Sequence, residues 1–131
     1  MSTIFTKIVN KEIPCHLIKE DDRFLAFLDV MPLVEGHVLV IPKQEVDYIF
    51  DLEPELLGDL MKFAQSIAPA IKQAIPCKRV GVAVIGLEVP HAHVHLVPMN
   101  RMLDINFSQE KMKPSAESLA KTAELIRSFL L

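Results

Sequence analysis

Three of the five histidines in this chain fall within five residues, as His91-Ala92-His93-Val94-His95; the others are His16 and His37. Side chains alternate across an extended chain, so the three imidazoles share one face. Ala92, Val94 and Leu96 turn to the other face, where they can pack into a core. Successive same-face positions lie about 6.5–7 Å apart along a strand. A row of imidazoles at that spacing suits a metal or a compact anion. As metal ligands, an H-x-H pair with one further ligand would complete a site. At phosphorus, one neutral imidazole attacks as the nucleophile while its neighbours hold phosphate oxygens and the leaving group. The spacing allows both chemistries.

The elements that must carry this row follow from periodicity. Ile4, Phe5, Ile8 and Val9 recur with helical spacing, which predicts a short helix ending before Pro14. Residues 16–19 read as a strand, Asp21-Asp22 as a polar turn, and residues 24–30 as a second strand. On that second strand Leu25, Phe27 and Asp29 share one face, and Phe24, Ala26, Leu28 and Val30 the other. Gly36 opens a third strand over residues 37–41, which Pro42 closes. Pro54 starts a long helix; Pro69 inside it predicts a kink or a split, and Pro76 an end. Strands over residues 79–85 and 91–98 follow. Ser115 caps a last helix with Leu119, Ala123 and Ile126 on its apolar stripe. Short turns between strands favour antiparallel pairing. The expected class is therefore α+β, an antiparallel sheet of about five strands with helices on one face.

Composition narrows the function classes. The 131 residues are 50% hydrophobic and 24% charged, enough for one domain over residues 1–131 with a substantial core. That balance excludes a disordered or collagen-like chain. Lys and Arg number 14 against 17 Asp and Glu, a net charge of -3, which argues against nucleic acid as the main partner. The longest apolar stretch, residues 80–87, is far short of the ~20 residues of a membrane span. Lys7, Lys11 and Glu12 do not suit a secretory signal. Cys15 and Cys77 form neither a CxxC pair nor a disulfide framework, so a reducing, cytoplasmic setting is expected. A mean hydropathy of +0.29 is high for so small a chain and predicts a homodimer. Leu60, Met61, Ala64, Ile67 and Ala68 of the long helix would lie near its interface, unless that stripe faces its own sheet.

The run HAHVHLV fits H-φ-H-φ-H-φ-φ, with φ apolar. TIFTKIVNKEIP at residues 3–14, EDDRFLAFLDV at 20–30 and EGHVLVIPK at 35–43 precede it in order. With these four motifs the chain resembles the histidine triad family over residues 3–98. The resemblance implies a nucleotide hydrolase or transferase acting at the α-phosphate, often of adenosine phosphoramidates or dinucleoside polyphosphates. It implies that His93 attacks phosphorus and forms a nucleotidyl-histidine, that His91 and His95 contact phosphate and handle protons, and that His37 lies close to the triad. It gives Asp29 the ribose hydroxyls, and Ile4, Phe5, Ile8, Ile13, Phe27, Leu28 and Val30 the enclosure of a purine base. A histidine nucleophile needs no metal or cofactor. Two other readings stay open, a nucleotide-binding or scaffold protein with little turnover and a His-ligated metal hydrolase. His16 is assigned to the surface.

Two departures from the family pattern carry expectations. Val84, Leu87 and Glu88 stand where many members have Asn, Gln and Ser or Thr in a longer loop. Glu88 there would repel a phosphate, or take a proton from a triad imidazole and raise its pKa. Either effect predicts slow hydrolysis of ordinary adenosine substrates. The zinc-bearing branch of the family has C-x-x-C and a later histidine where this chain has Thr3, Thr6 and Gln44-Glu45, so no structural zinc is expected.

Overall fold

The computed structural model describes residues 2–130. Five strands, β1 (Leu17–Glu20), β2 (Phe24–Leu28), β3 (Val38–Pro42), β4 (Arg79–Ala83) and β5 (Val94–Met99), form one sheet in the order β1-β2-β3-β5-β4. Every neighbouring pair is antiparallel. Three α-helices complete the chain: α1 (Ile4–Val9), α2 (Pro54–Ala74) and α3 (Ala116–Ser128). The α+β class with an antiparallel five-stranded sheet is thus as the sequence indicates.

Alternation along the central strands builds two cores. Phe24, Ala26 and Leu28 of β2, Val38 and Val40 of β3, and Val94 and Leu96 of β5 face α2 and α3. There they meet Leu60, Ala64, Ile67 and Ile71 of α2, and Leu119, Ala123 and Ile126 of α3. Leu25, Phe27, Leu39 and Ile41 face the other way and meet Phe5 and Ile8 of α1. The two long helices share one face, as expected, but short α1 sits on the opposite face. The functional cluster lies on that second face, beside α1. On α2, Leu60, Ala64 and Ile67 serve the protein's own core, whereas Met61 is 39% exposed. An Ile67→Ala change would cost about 2–5 kcal/mol of stability.

Strands β2 and β4 each end two residues earlier than the sequence reading, at Leu28 and Ala83, and two larger differences have physical causes. Helix α2 is not split at Pro69. Pro69 and residue 65, whose carbonyl loses its intrahelical donor, are both exposed, so water can satisfy that carbonyl. Strand β5 begins at Val94 rather than at His91. The Ala92 amide donates to the Val46 carbonyl (2.7 Å) and the His91 amide to the Val89 carbonyl (2.8 Å), so residues 91–93 leave the ladder before β5 starts. Their alternation survives: Ala92 packs into the helix-side core and the histidines face α1.

Candidate active site

His37, His91, His93 and His95 are all buried, with 8% exposure at most. Buried imidazoles are hydrogen-bonded, and the partners fix where the protons sit. The Nε2 of His91 lies 2.8 Å from the Pro42 carbonyl, which can only accept, so Nε2 carries hydrogen. The Nδ1 of His91 then accepts from the Thr3 hydroxyl at 3.1 Å. Thr3 is the N-cap of α1 and its Oγ1 also accepts the Thr6 amide at 3.0 Å. The Thr6 hydroxyl and the Thr3 amide both donate to Oε1 of Glu45, at 2.5 and 3.0 Å. Those two bonds hold the Glu45 carboxyl below its ordinary pKa. Burial lowers the pKa of His91, against the pull of the Pro42 carbonyl and the Glu45 charge.

The Nδ1 of His93 lies 2.7 Å from the His91 carbonyl and so must donate to it. In the uncharged ring this leaves the Nε2 lone pair free. The Phe5 ring stands edge-on to His93 at 5.1 Å and to His91 at 5.8 Å, and Phe27 backs Phe5 at 5.6 Å.

His37 and His95 form a second unit. The Leu33 amide donates to Nδ1 of His37 at 3.1 Å. The Nε2 of His37 therefore holds the hydrogen and donates it to Nδ1 of His95 at 2.9 Å. The Nε2 of His95 is then the protonated nitrogen of a neutral ring. Burial, together with the neighbouring His95 ring, pushes His37 down to about 3. Burial, then His93, pushes His95 down to about 4. Gly36 makes the turn into His37 with φ +89°, and a Cβ there would stand 2.7 Å from Cγ1 of Ile75. Asp29 follows β2 with its Oδ2 3.9 Å from Nε2 of His37 and its Oδ1 accepting the Met31 amide at 2.9 Å. Burial raises the Asp29 pKa, and the Met31 bond opposes it.

Two cavities open at His93. One of about 560 Å³ runs from His93 and Ala92 past Val84, Ile85 and Leu87 to Tyr48, Phe50 and Met61. A smaller one of about 180 Å³ is lined by His93, His95, Gly86, Glu88, Phe107 and Lys111. A free imidazole nitrogen on His93 and an N–H on His95, with ring centroids 4.9 Å apart, border the same space. One can attack and the other can donate a proton.

The site gathers some of the expected residues and leaves others out. Phe5, Ile8 and Phe27 lie in the apolar cluster on the triad's face, and Ile13 packs at its edge. Leu28, the next residue after Phe27, turns to the helix-side core by strand alternation. Ile4 and Val30 are more than half exposed; neither they nor Phe5, Ile8, Ile13, Phe27 and Asp29 line the two cavities at His93. Leu39, cross-strand partner of Phe27, completes the apolar face and was not among the expected residues. Phe107 and Lys111 were not either. They come from a stretch without periodicity, so no sequence pattern points to them. Among the described residues Glu88 has no hydrogen bond to a triad imidazole, and His95 is shifted down, so proton capture by Glu88 is not what the site does.

Metal binding was tested against the donors present. Asp29, His37 and His95 bring three ligand atoms within 4.8 Å of one another. However, the two imidazole nitrogens share a hydrogen at 2.9 Å. A tetrahedral ion bonded to both at about 2.0–2.1 Å would need them farther apart. Around His91, two hydroxyls and a carboxylate occupy the positions of the zinc branch, already hydrogen-bonded to one another. That set lacks thiolates and does not fit a structural zinc.

The HIT domain family profile matches residues 10–102. An adenosine 5'-monophosphoramidase HNT1 from Saccharomyces cerevisiae is 38% identical over 96 residues, 72% of this chain and 61% of that protein. An uncharacterized HIT-like protein from Borreliella burgdorferi is 36% identical over 102 residues, 72% of this chain and 73% of its own. Among solved structures, a HIT-like protein from Bartonella henselae described as involved in cell-cycle regulation superposes with TM-score 0.85 at 32% identity, covering 97% of this chain and 95% of that one. A zinc-bound histidine triad family protein from Mycobacterium smegmatis gives 0.81 at 29% identity, covering 99% and 94%. Sequence, topology and the buried histidine row agree, and the chain belongs to the HIT family.

Proposed function

We propose that this protein hydrolyses a nucleoside 5'-phosphoramidate, with adenosine as the preferred nucleoside, through a nucleotidyl-histidine. The observation that carries the reading is the proton pattern, a bare Nε2 on His93 beside a protonated Nε2 on His95 at one cavity. Nε2 of His93 forms a bond to the α-phosphorus as the P–N bond breaks. The leaving nitrogen keeps that electron pair and takes a proton from a water held by the Nε2 hydrogen of His95, and the hydroxide so formed is neutralised by the proton released in the next step. A water molecule then attacks phosphorus, loses a proton to solvent and frees His93. Asp29 accepts from the ribose hydroxyls, and the apolar face of Phe5, Ile8, Phe27 and Leu39 receives the base. The phosphoramidase name of the yeast relative supports the substrate class.

A second copy of the chain completes the reading. Exposed Tyr48, Phe50, Met61, Ile85 and Leu87 surround the larger cavity, and β4 is an open edge strand. Such an apolar surface beside an unpaired edge favours a homodimer. The free Cys15 and Cys77 favour a reducing, cytoplasmic setting. Among the described residues no helix is long and apolar enough to cross a membrane.

The test is rapid mixing with radiolabelled adenosine 5'-phosphoramidate followed by denaturation. Label should stay on wild-type protein at His93 and be absent from His93→Ala. Hydrolysis by His93→Ala at the wild-type rate would overturn the reading.

A further inference from the structure

The matched family profile ends at residue 102, yet two residues beyond it reach the triad. After the short 3-10 turn Met102–Asp104 the chain passes beside His95 and His37 before entering α3. The Phe107 ring stands 4.7 Å from His95 and 6.4 Å from His37. The Met112 amide donates to the Pro32 carbonyl at 2.9 Å, and the Gln109 side chain to the Leu33 carbonyl at 3.5 Å. Both anchors sit in the loop between Asp29 and His37, so this segment is fastened to the rim of the site.

Lys111 is half-buried on this segment. Among the described residues it forms no ion pair, although six Lys or Arg pairs with carboxylates exist elsewhere. It lines the 180 Å³ cavity with His93 and His95. From there its charge acts on Asp29, His37 and His95. Of the remaining lining, Ile85, Leu87 and Phe107 are apolar and Glu88 is an acid, which leaves the Nε2 hydrogen of His95 and the Gly86 main chain as uncharged groups. An oxyanion removed from water needs charged or N–H donors. Among the described lining residues Lys111 is the one fixed cation.

We propose that Lys111 is a phosphate-binding residue, delivered to the triad by the segment that follows the matched domain. Its ammonium takes a non-bridging oxygen of the phosphoryl group that His93 attacks, in place of donors that Val84, Leu87 and Glu88 cannot supply. The proposal rests on the nucleotide reading for its substrate, but the anion site can be tested apart from it.

Calorimetric titration of the wild-type chain, Lys111→Met and Lys111→Arg with AMP, adenosine and inorganic pyrophosphate separates the cases. Lys111→Met should weaken AMP and pyrophosphate by roughly tenfold to a hundredfold and change adenosine by less than about twofold. Lys111→Arg should keep most of the phosphate affinity. Unchanged AMP binding in Lys111→Met would overturn the proposal. An equal loss for AMP and adenosine would do so too, because it would mark Lys111 as only structural. Wild-type protein that takes pyrophosphate through Lys111 but neither nucleoside form would leave the anion site standing and remove the nucleotide reading. Wild-type protein that binds none of the three would remove both.

Discussion

His37 and His95 meet ring to ring, Nε2 to Nδ1 at 2.9 Å, and a single hydrogen serves both. Neither ring accepts a second proton easily, since burial leads the causes that hold them at about 3 and about 4. In the unfolded chain each would titrate near 6.5. Above that pH both states carry neutral rings and the pair costs nothing extra. As pH falls below it, the unfolded chain binds protons that the folded site refuses, so stability is lost until the folded values are reached. Thermal melts from pH 7 to pH 4 should show a falling Tm, and the fall should be shallower in His37→Gln. Parallel curves for the two proteins would count against this account.

His37 also sets the tautomer of its neighbour. His37→Ala removes the donor to Nδ1 of His95 and frees that ring to move its hydrogen from Nε2. We expect kcat for adenosine phosphoramidate to drop about tenfold or more with a smaller change in KM. A change confined to KM would show that His37 only shapes the pocket.

Thr3 both caps α1 and donates to His91. Thr3→Val should destabilise the protein by about 1–2 kcal/mol and shift the 15N resonance of His91 Nδ1. Thr3→Ser retains the hydroxyl and should restore both. A serine variant as damaged as the valine one would mean that the methyl group, not the hydrogen bond, is what matters.

Leu87 is 89% exposed and borders both cavities, and exposed Glu88 borders the smaller one. Replacing the pair by Leu87→Gln and Glu88→Ser removes a negative charge and adds donors near the phosphate. Adenosine phosphoramidate turnover should rise severalfold. A double variant no faster than wild type, with its fold intact by circular dichroism, would count against a role for Leu87 and Glu88 in slowing turnover.

The homodimer is checked by light scattering at tens of micromolar. Phe50→Asp with Met61→Glu places two charges on the exposed apolar surface and should shift the mass to that of the monomer while circular dichroism is unchanged. Wild-type protein that is already monomeric at these concentrations would contradict a dimer.

Much of this architecture could be read from periodicity. Strand alternation placed Phe27 apart from Leu28, and Pro54 and Pro76 marked both ends of α2 closely. What escaped was set by tertiary contacts. Pro69 reads as a break, yet it lies where water meets the freed carbonyl. The triad reads as strand from its first histidine, yet the Val46 carbonyl draws the Ala92 amide out of the ladder. The His37–His95 pair joins residues 58 apart in sequence, a separation that no local pattern encodes. Phe107 and Lys111 are harder still, since a loop without periodicity announces nothing about what it crosses.

Main-chain atoms, rather than side chains, define the hydrogen positions of three of these rings: the Pro42 carbonyl for His91, the His91 carbonyl for His93 and the Leu33 amide for His37. A point substitution cannot delete a carbonyl, and among the twenty amino acids only proline would remove the amide at 33. The protonation pattern is therefore tolerant of drift in the identities of its backbone partners. Its weakness is length. One residue gained or lost between 33 and 37 would slide the Leu33 amide off His37, and one between 42 and 46 would set the Pro42 carbonyl that holds His91 against the Val46 carbonyl that holds Ala92, so these loops are bound to keep their size more strictly than their sequence.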